Sequence, residues 1–210
     1  MINNFSPNMI KTYKICPKKY YYQYIDHLVM PKSAQNFEKG KKIHALANYY
    51  LQEVKIDRIE TALNNEEYKI WESLKQNPFY NMDFVQSEFT LYSKLGKDFW
   101  IGGRIDAVVT NGNDYYILDY KTGNAPDNAE YDYQTMIYLL CIEKYLKNYD
   151  KLSFVYINLK EKTNKVIEFN KKMKEEYEQK LIEICTKIST DTLYKENKTQ
   201  CEFCEYKKFD

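Results

Sequence analysis

Three stretches of alternating β-branched and aromatic residues, 84–92, 99–109 and 115–120, follow one another across short turns at 94–97 and 111–113. Turns that short join antiparallel neighbours. A helical stretch at 129–146, with Tyr133, Ile137 and Leu140 on one face, separates them from a further strand at 152–159. A helix-length connection is what a parallel partner requires. The pattern predicts an α/β fold built on a central mixed sheet, to which a hairpin through 162–164 adds a short strand at 165–169.

The flanks read as helices. Ser6 and Pro7 are a cap and a first-turn proline for a helix to about Ile15, and Pro17 opens another. After a loop at 31–34, the segment 37–52 places Ile43, Leu46, Ala47, Tyr50 and Leu51 on one stripe. A weaker helical stretch covers 58–75, and 171–189 carries Tyr177, Leu181, Ile184 and Ile188 at helical spacing. At 210 residues, 44% hydrophobic and 29% charged, the chain suits one substantial core rather than disorder. The expectation is one domain over 1–210, with 1–30 and 190–210 meeting as a small satellite lobe. No apolar run reaches membrane-spanning length and no signal peptide stands at the N-terminus, so a cytoplasmic protein without a membrane partner is expected.

A net charge of +1 excludes a uniformly basic surface, and any nucleic-acid contact must come from a local patch. Lys11, Lys14, Lys18 and Lys19 interleaved with Tyr13, Tyr20, Tyr21, Tyr22 and Tyr24 form one candidate, mixing phosphate-binding charge with stackable rings. The alternative is a solvated helix face over core aromatics.

The chemistry is concentrated in two neighbouring strands, Gly103-Arg104-Ile105-Asp106 and Asp119-Tyr120-Lys121-Thr122-Gly123. Asp119 and Lys121 are two apart in a strand and share a face, which Asp106 can reach. Two carboxylates beside an ammonium suit a hard divalent cation, with the lysine free to hold a phosphate oxygen or orient the attacking water. The set reads as a metal-dependent phosphodiester hydrolase, with the Tyr120 carbonyl as a further metal ligand. Glu88 is a third candidate acid, and His44 a nitrogen ligand that would admit Mn²⁺ as well as Mg²⁺. Gln134 and Tyr138, four apart on the next helix, project together toward the site to hold a phosphate or a base.

In this order the residues resemble the RecB-like and CRISPR-associated exonuclease branch of the PD-(D/E)xK nucleases. The likeness runs from Cys16-Pro17-Lys18-Lys19-Tyr20-Tyr21 through Gly40 and His44, Gly103 to Asp106, and Asp119 to Gly123, to Gln134 with Tyr138. It implies a restriction-endonuclease-like fold, a DNA substrate (single strands or ends), His44 as a metal ligand, and a role in DNA repair, recombination or CRISPR-type defence with partner proteins. It also implies a [4Fe-4S] cluster held by one cysteine of the opening helix and three near the C-terminus. Cys16, Cys201 and Cys204 match, but the fourth position is Asp210. An oxygen ligand, an incomplete cluster, Zn²⁺ and a vestige are the alternatives at that site. Cys141 and Cys185 fall on apolar helix faces and are expected in the core.

Two other functions compete. One is a nuclease-fold subunit that binds DNA and assembles with partners while cutting weakly, which the intact Asp106, Asp119 and Lys121 disfavour. The other is a hydrolase of small phosphate esters, which would have little use for the aromatic-basic segment.

Overall fold

The computed structural model describes residues 2–30, 34–201 and 204–207, and the side chains of 34–41 and of residue 59 are outside the description. Its frame is a six-stranded mixed sheet. The strands are β1 (Asn4–Phe5), β2 (Asp83–Leu95), β3 (Phe99–Asn111), β4 (Asp114–Lys121), β5 (Lys151–Asn158) and β6 (Thr163–Glu168). β2, β3 and β4 pair antiparallel in sequence order, β4 and β5 pair parallel, and β6 returns antiparallel to β5.

The helices are α1 (Pro7–Ile15), α2 (Pro17–Tyr20), α3 (Ala34–Leu51), α4 (Asp57–Glu60), α5 (Asn65–Lys75), α6 (Tyr133–Tyr145), α7 (Lys171–Thr190) and α8 (Lys198–Cys201). α6 is the crossover between the parallel strands. With α1 and α7 it covers one face of the sheet, in a core containing Ile10, Ile137, Leu140, Tyr177, Leu181 and the buried Cys141 and Cys185. α3 and α5 cover the other face through Ile43, Leu46, Trp71 and Leu74.

Several boundaries differ from those read in the sequence, each for a local reason. The stretch 58–75 is broken because Asn64 caps a new helix: its side chain accepts from the Glu67 N–H at 2.9 Å, and the Glu67 carboxylate accepts from the Asn64 N–H at 2.9 Å. The stretch 129–146 begins as a 3₁₀ turn, Ala129–Tyr131, and α6 starts only after Asp132, whose extended backbone and side chain cap it. α2 continues as a single π-helical turn, Tyr21–Ile25. β1 is too short to leave a periodicity signal. Tyr13, Tyr20 and Tyr22 are buried, and Tyr13 meets Tyr20 edge to face at 5.5 Å, so these rings build the core and do not stack on bases.

Besides a bulge between Phe84 and Gln86 on β2, strict alternation along β2 and β3 fails beside the site. Ile101 and Ile105 face the α6 side, whereas Ala107 and Val109, an even number of residues further on, face the α3 side. On β2, Phe89 and Leu91 pack on the α6 side while the Ser87 hydroxyl donates to Asn48 of α3. The inversion coincides with Glu88, whose φ of 50° lies in the left-handed region, and with Asp106 opposite it between the Ser87/Ala107 and Phe89/Ile105 pairs.

Candidate active site

One edge of β3 pairs with β2 along its length, while the other meets β1 at Trp100 and Ile101 and β4 only from Ala107 onward. The β3–β4 ladder thus ends at Ala107 and Leu118, two residues before the Tyr120 amide. That N–H donates instead to Asp106 Oδ2 at 3.0 Å, so a side chain continues the ladder where the strands splay. The splay opens a gap that side chains reach from both faces of the sheet.

From the α3 side comes His44. Its Nδ1 lies 3.4 Å from Asp106 Oδ1 and 3.7 Å from Glu88 Oε1, and its Nε2 lies 3.2 Å from the Tyr120 carbonyl. One ligand atom from each of His44, Glu88 and Asp106 falls within 4.8 Å of the others. An imidazole and two carboxylates that close fit Mg²⁺ or Mn²⁺ and leave coordination positions for water and substrate. Nδ1 thus faces the two carboxylates and Nε2 the Tyr120 carbonyl, so both ring nitrogens have candidate oxygen ligands beside them. Burial alone would lower the His44 pKa, but hydrogen bonding to Asp106 and Glu88 and the charges of Asp106 and Asp119 outweigh it and raise it to about 10.

From the α6 side come Asp119, Lys121, Gln134 and Tyr138. Asp119 is 3% exposed, and burial pushes its carboxyl above the usual range, reinforced by Asp106 and opposed by Lys121. Lys121 Nζ lies 2.7 Å from Asp119 Oδ2 and donates to Gln134 Oε1 at 3.2 Å, while Gln134 Nε2 donates to Asp119 Oδ1. Gln134 therefore locks the carboxylate and the ammonium in one arrangement. Tyr138 stands over Gly103: a Cβ there would meet its hydroxyl at 2.9 Å, so only glycine admits the phenol this close to the strand.

All the residues expected at the nuclease centre thus lie around one gap, with Glu88 grouped directly with His44 and Asp106. Two contributors had no assigned role. Arg104 ion-pairs with Glu88, and Asp132 caps α6 through the Gln134 N–H at 2.9 Å while binding Lys11 at 2.8 Å. Asp132 fell inside the helical stretch read over 129–146, so its capping role was not seen in the sequence. Arg104 carried no signal, since its partner depends on strand register.

The chain ends meet at a second site. Cys16, Cys201 and Cys204 line one cavity of about 60 Å³ together with Lys19, Asn197 and Glu205. Cys16 Sγ accepts from the Lys19 N–H at 3.5 Å and the Asn197 N–H at 3.3 Å. Asp210 lies outside the described residues.

A sequence profile described as the PD-(D/E)XK nuclease superfamily matches in two overlapping segments, residues 4–80 and 69–209. The chain belongs to that superfamily. Among curated proteins it is similar to a CRISPR-associated exonuclease Cas4 from Francisella tularensis subsp. novicida (strain U112), at 22% identity over 209 residues, covering 96% of this chain and 91% of the relative. Among solved structures it is similar in fold to a Eubacterium rectale protein whose own exonuclease assignment is provisional, with a TM-score of 0.60, 10% identity, and coverage of 99% of this chain and 88% of that one. The mixed sheet flanked by helices is the restriction-endonuclease-like fold of this superfamily. No helix among the described residues is long and apolar enough to cross a membrane.

Proposed function

We propose that the protein is a Mg²⁺- or Mn²⁺-dependent deoxyribonuclease, an exonuclease on single-stranded DNA or DNA ends, working in the cytoplasm in DNA repair, recombination or CRISPR-type defence with partner proteins. The convergence of His44, Glu88 and Asp106 on one side of the strand gap, with Asp119, Lys121 and Gln134 on the other, carries this reading. The name of the relative, a CRISPR-associated exonuclease, supports the exonucleolytic mode and the CRISPR setting.

His44, Glu88, Asp106, Asp119 and the Tyr120 carbonyl would hold the ion, which when bound neutralises phosphate charge and makes water a better nucleophile. Lys121 contacts a phosphate oxygen or orients the attacking water, and Gln134 keeps its ammonium aimed. Tyr138 and Gln134 hold the substrate from α6. Arg104 sets the position of Glu88.

Digestion of single- and double-stranded DNA with Mg²⁺, Mn²⁺ or chelator tests the activity. Lys121→Ala is expected to abolish cleavage, by a factor of about 10² to 10³, while DNA binding stays nearly constant. Digestion at the unaltered rate would remove the assignment and leave the fold as a DNA-binding, complex-assembling scaffold.

The reading extends to one nuclease domain over 1–210 whose terminal segments form a metal-binding lobe. Cys16, Cys201 and Cys204, from opposite ends of the chain, would hold an iron–sulfur cluster as three thiolates, with Asp210 as the fourth ligand and Zn²⁺ as the competing occupant. Two N–H groups already aimed at Cys16 Sγ support a thiolate there. Anaerobically purified protein should absorb near 400 nm and contain iron, and Cys16→Ser should bleach it; zinc without that absorption would overturn the cluster.

A further inference from the structure

Tyr156 of β5 is 1% exposed, yet it belongs to the surroundings of the strand gap. The parallel β4–β5 ladder sets it beside Asp119, and its side chain lies in the α6-side core, on the face that Asp119 and Lys121 share. Its ring centroid is 5.6 Å from Lys121 Nζ, within the distance at which the negative face of an aromatic ring attracts an ammonium.

The hydroxyl of the same side chain is anchored in the first turn of α6. It donates to Asp132 Oδ1 at 3.3 Å and lies 2.8 Å from Oγ1 of Thr135, a side chain without any exposure. Asp132 is the cap of α6 and also accepts from the Gln134 N–H and binds Lys11. Tyr156 thus reaches Lys121 by two routes: its ring directly, and its hydroxyl through the turn that carries Gln134, whose Oε1 accepts from the ammonium at 3.2 Å.

A lysine ammonium rides on a flexible stem, and one partner does not fix it. Its two oxygen partners have other duties: Gln134 also donates to Asp119, and Asp119 is one of the residues assigned to the ion. An aromatic face holds an ammonium without supplying an oxygen that could bind a cation or a full charge that would repel a phosphate.

We propose that Tyr156 is a positioning residue for phosphodiester cleavage, its ring holding the Lys121 ammonium in place for the phosphate and its hydroxyl anchoring that ring to the cap of α6. The assignment rests on the nuclease reading for its consequence in catalysis, but the ring contact is measured without any cleavage.

The test replaces Tyr156 with phenylalanine and then with phenylalanines fluorinated stepwise, which nearly keep the shape of the ring while draining its negative face. Tyr156→Phe should lower the urea midpoint, because the buried Thr135 hydroxyl loses its partner, and still keep kcat within about threefold of wild type. Along the fluorinated series kcat should fall stepwise to about one-tenth of the phenylalanine value, with KM for DNA unchanged. A kcat that is level along the series, or that merely follows the urea midpoint, overturns the proposal. In chelator, the NMR signals of the Lys121 side-chain methylenes, assigned by their loss in Lys121→Arg, should lie upfield of those of exposed lysines through the ring current of Tyr156. Signals at the position of exposed lysines also overturn it. A wild-type protein with the upfield signals that cuts nothing with Mg²⁺ or Mn²⁺ leaves Tyr156 as the holder of Lys121 and sinks the nuclease reading instead.

Discussion

The left-handed backbone at Glu88 gives a comparison in which two variants lose the same carboxylate and differ only in one methyl group. A non-glycine residue in the left-handed region costs about 1–2 kcal/mol. Glycine escapes that cost but loses about 0.5–1 kcal/mol to extra chain entropy. At Glu88, with φ of 50°, Glu88→Gly should therefore be more stable than Glu88→Ala by about 0.5–1 kcal/mol, and at Thr90, two residues on in the same strand, the order of the same two substitutions should reverse. Both Glu88 variants lose the ion pair with Arg104, whose side chain is 68% exposed, so that loss is small and cancels in the comparison. Scanning calorimetry should separate the pair by about 1–4 °C for a chain of this size. If Glu88→Ala proves as stable as Glu88→Gly, the face inversion of β2 is not held by backbone strain, and the account of how Glu88 is brought beside His44 and Asp106 fails. The strain has the character of a site purchase: an ordinary strand there would place the carboxylate differently and cost less.

Two further outcomes follow from the geometry. Gly102→Ala would set a Cβ 2.1 Å from the Leu91 carbonyl oxygen and 2.8 Å from the Tyr92 Cα, both backbone, so β2 must move and the midpoint of unfolding should fall by about 2–3 kcal/mol equivalents in a urea titration. In chelator, His44, with a folded pKa raised from 6.5 to about 10, stabilises the native state fully below about pH 6.5 and loses that contribution as pH rises through about 10. Urea midpoints of wild-type protein measured against His44→Gln should converge over that interval; a constant difference would show that the imidazole is not paired with Asp106 and Glu88.

Much of the centre was legible because its residues are fixed by short-range rules. Asp119 and Lys121 share a strand face by period two, Gln134 and Tyr138 a helix face by i and i+4, and three hairpin-linked strands followed by a helix dictate a mixed sheet. Contributions that depend on irregularity were not legible. Nothing in the residue types around Glu88 announces a left-handed backbone, because glycine and asparagine are the usual markers and neither is there. The Arg104 partner follows from the register that this irregularity sets. The tyrosines from Tyr13 to Tyr24 left two readings open because helical interleaving of charge and rings is the same whether the rings meet bases or the core, and burial of Tyr13, Tyr20 and Tyr22 decides for the core.

The meeting of Cys16 with Cys201 and Cys204 makes the polypeptide, in effect, a ring that can be opened. A metal group bridging Cys16 and Cys201 would close a loop of about 185 residues, and a covalent link of that span would be worth about 5 kcal/mol through restriction of the unfolded chain, much of a typical domain's whole stability. Strands β2 to β6 and helices α3 to α7 lie inside that loop, while β1 and α1 lie outside it. Oxidative loss of the group would then register not at the chain ends alone but in how readily the sheet carrying Asp106 and Asp119 comes apart.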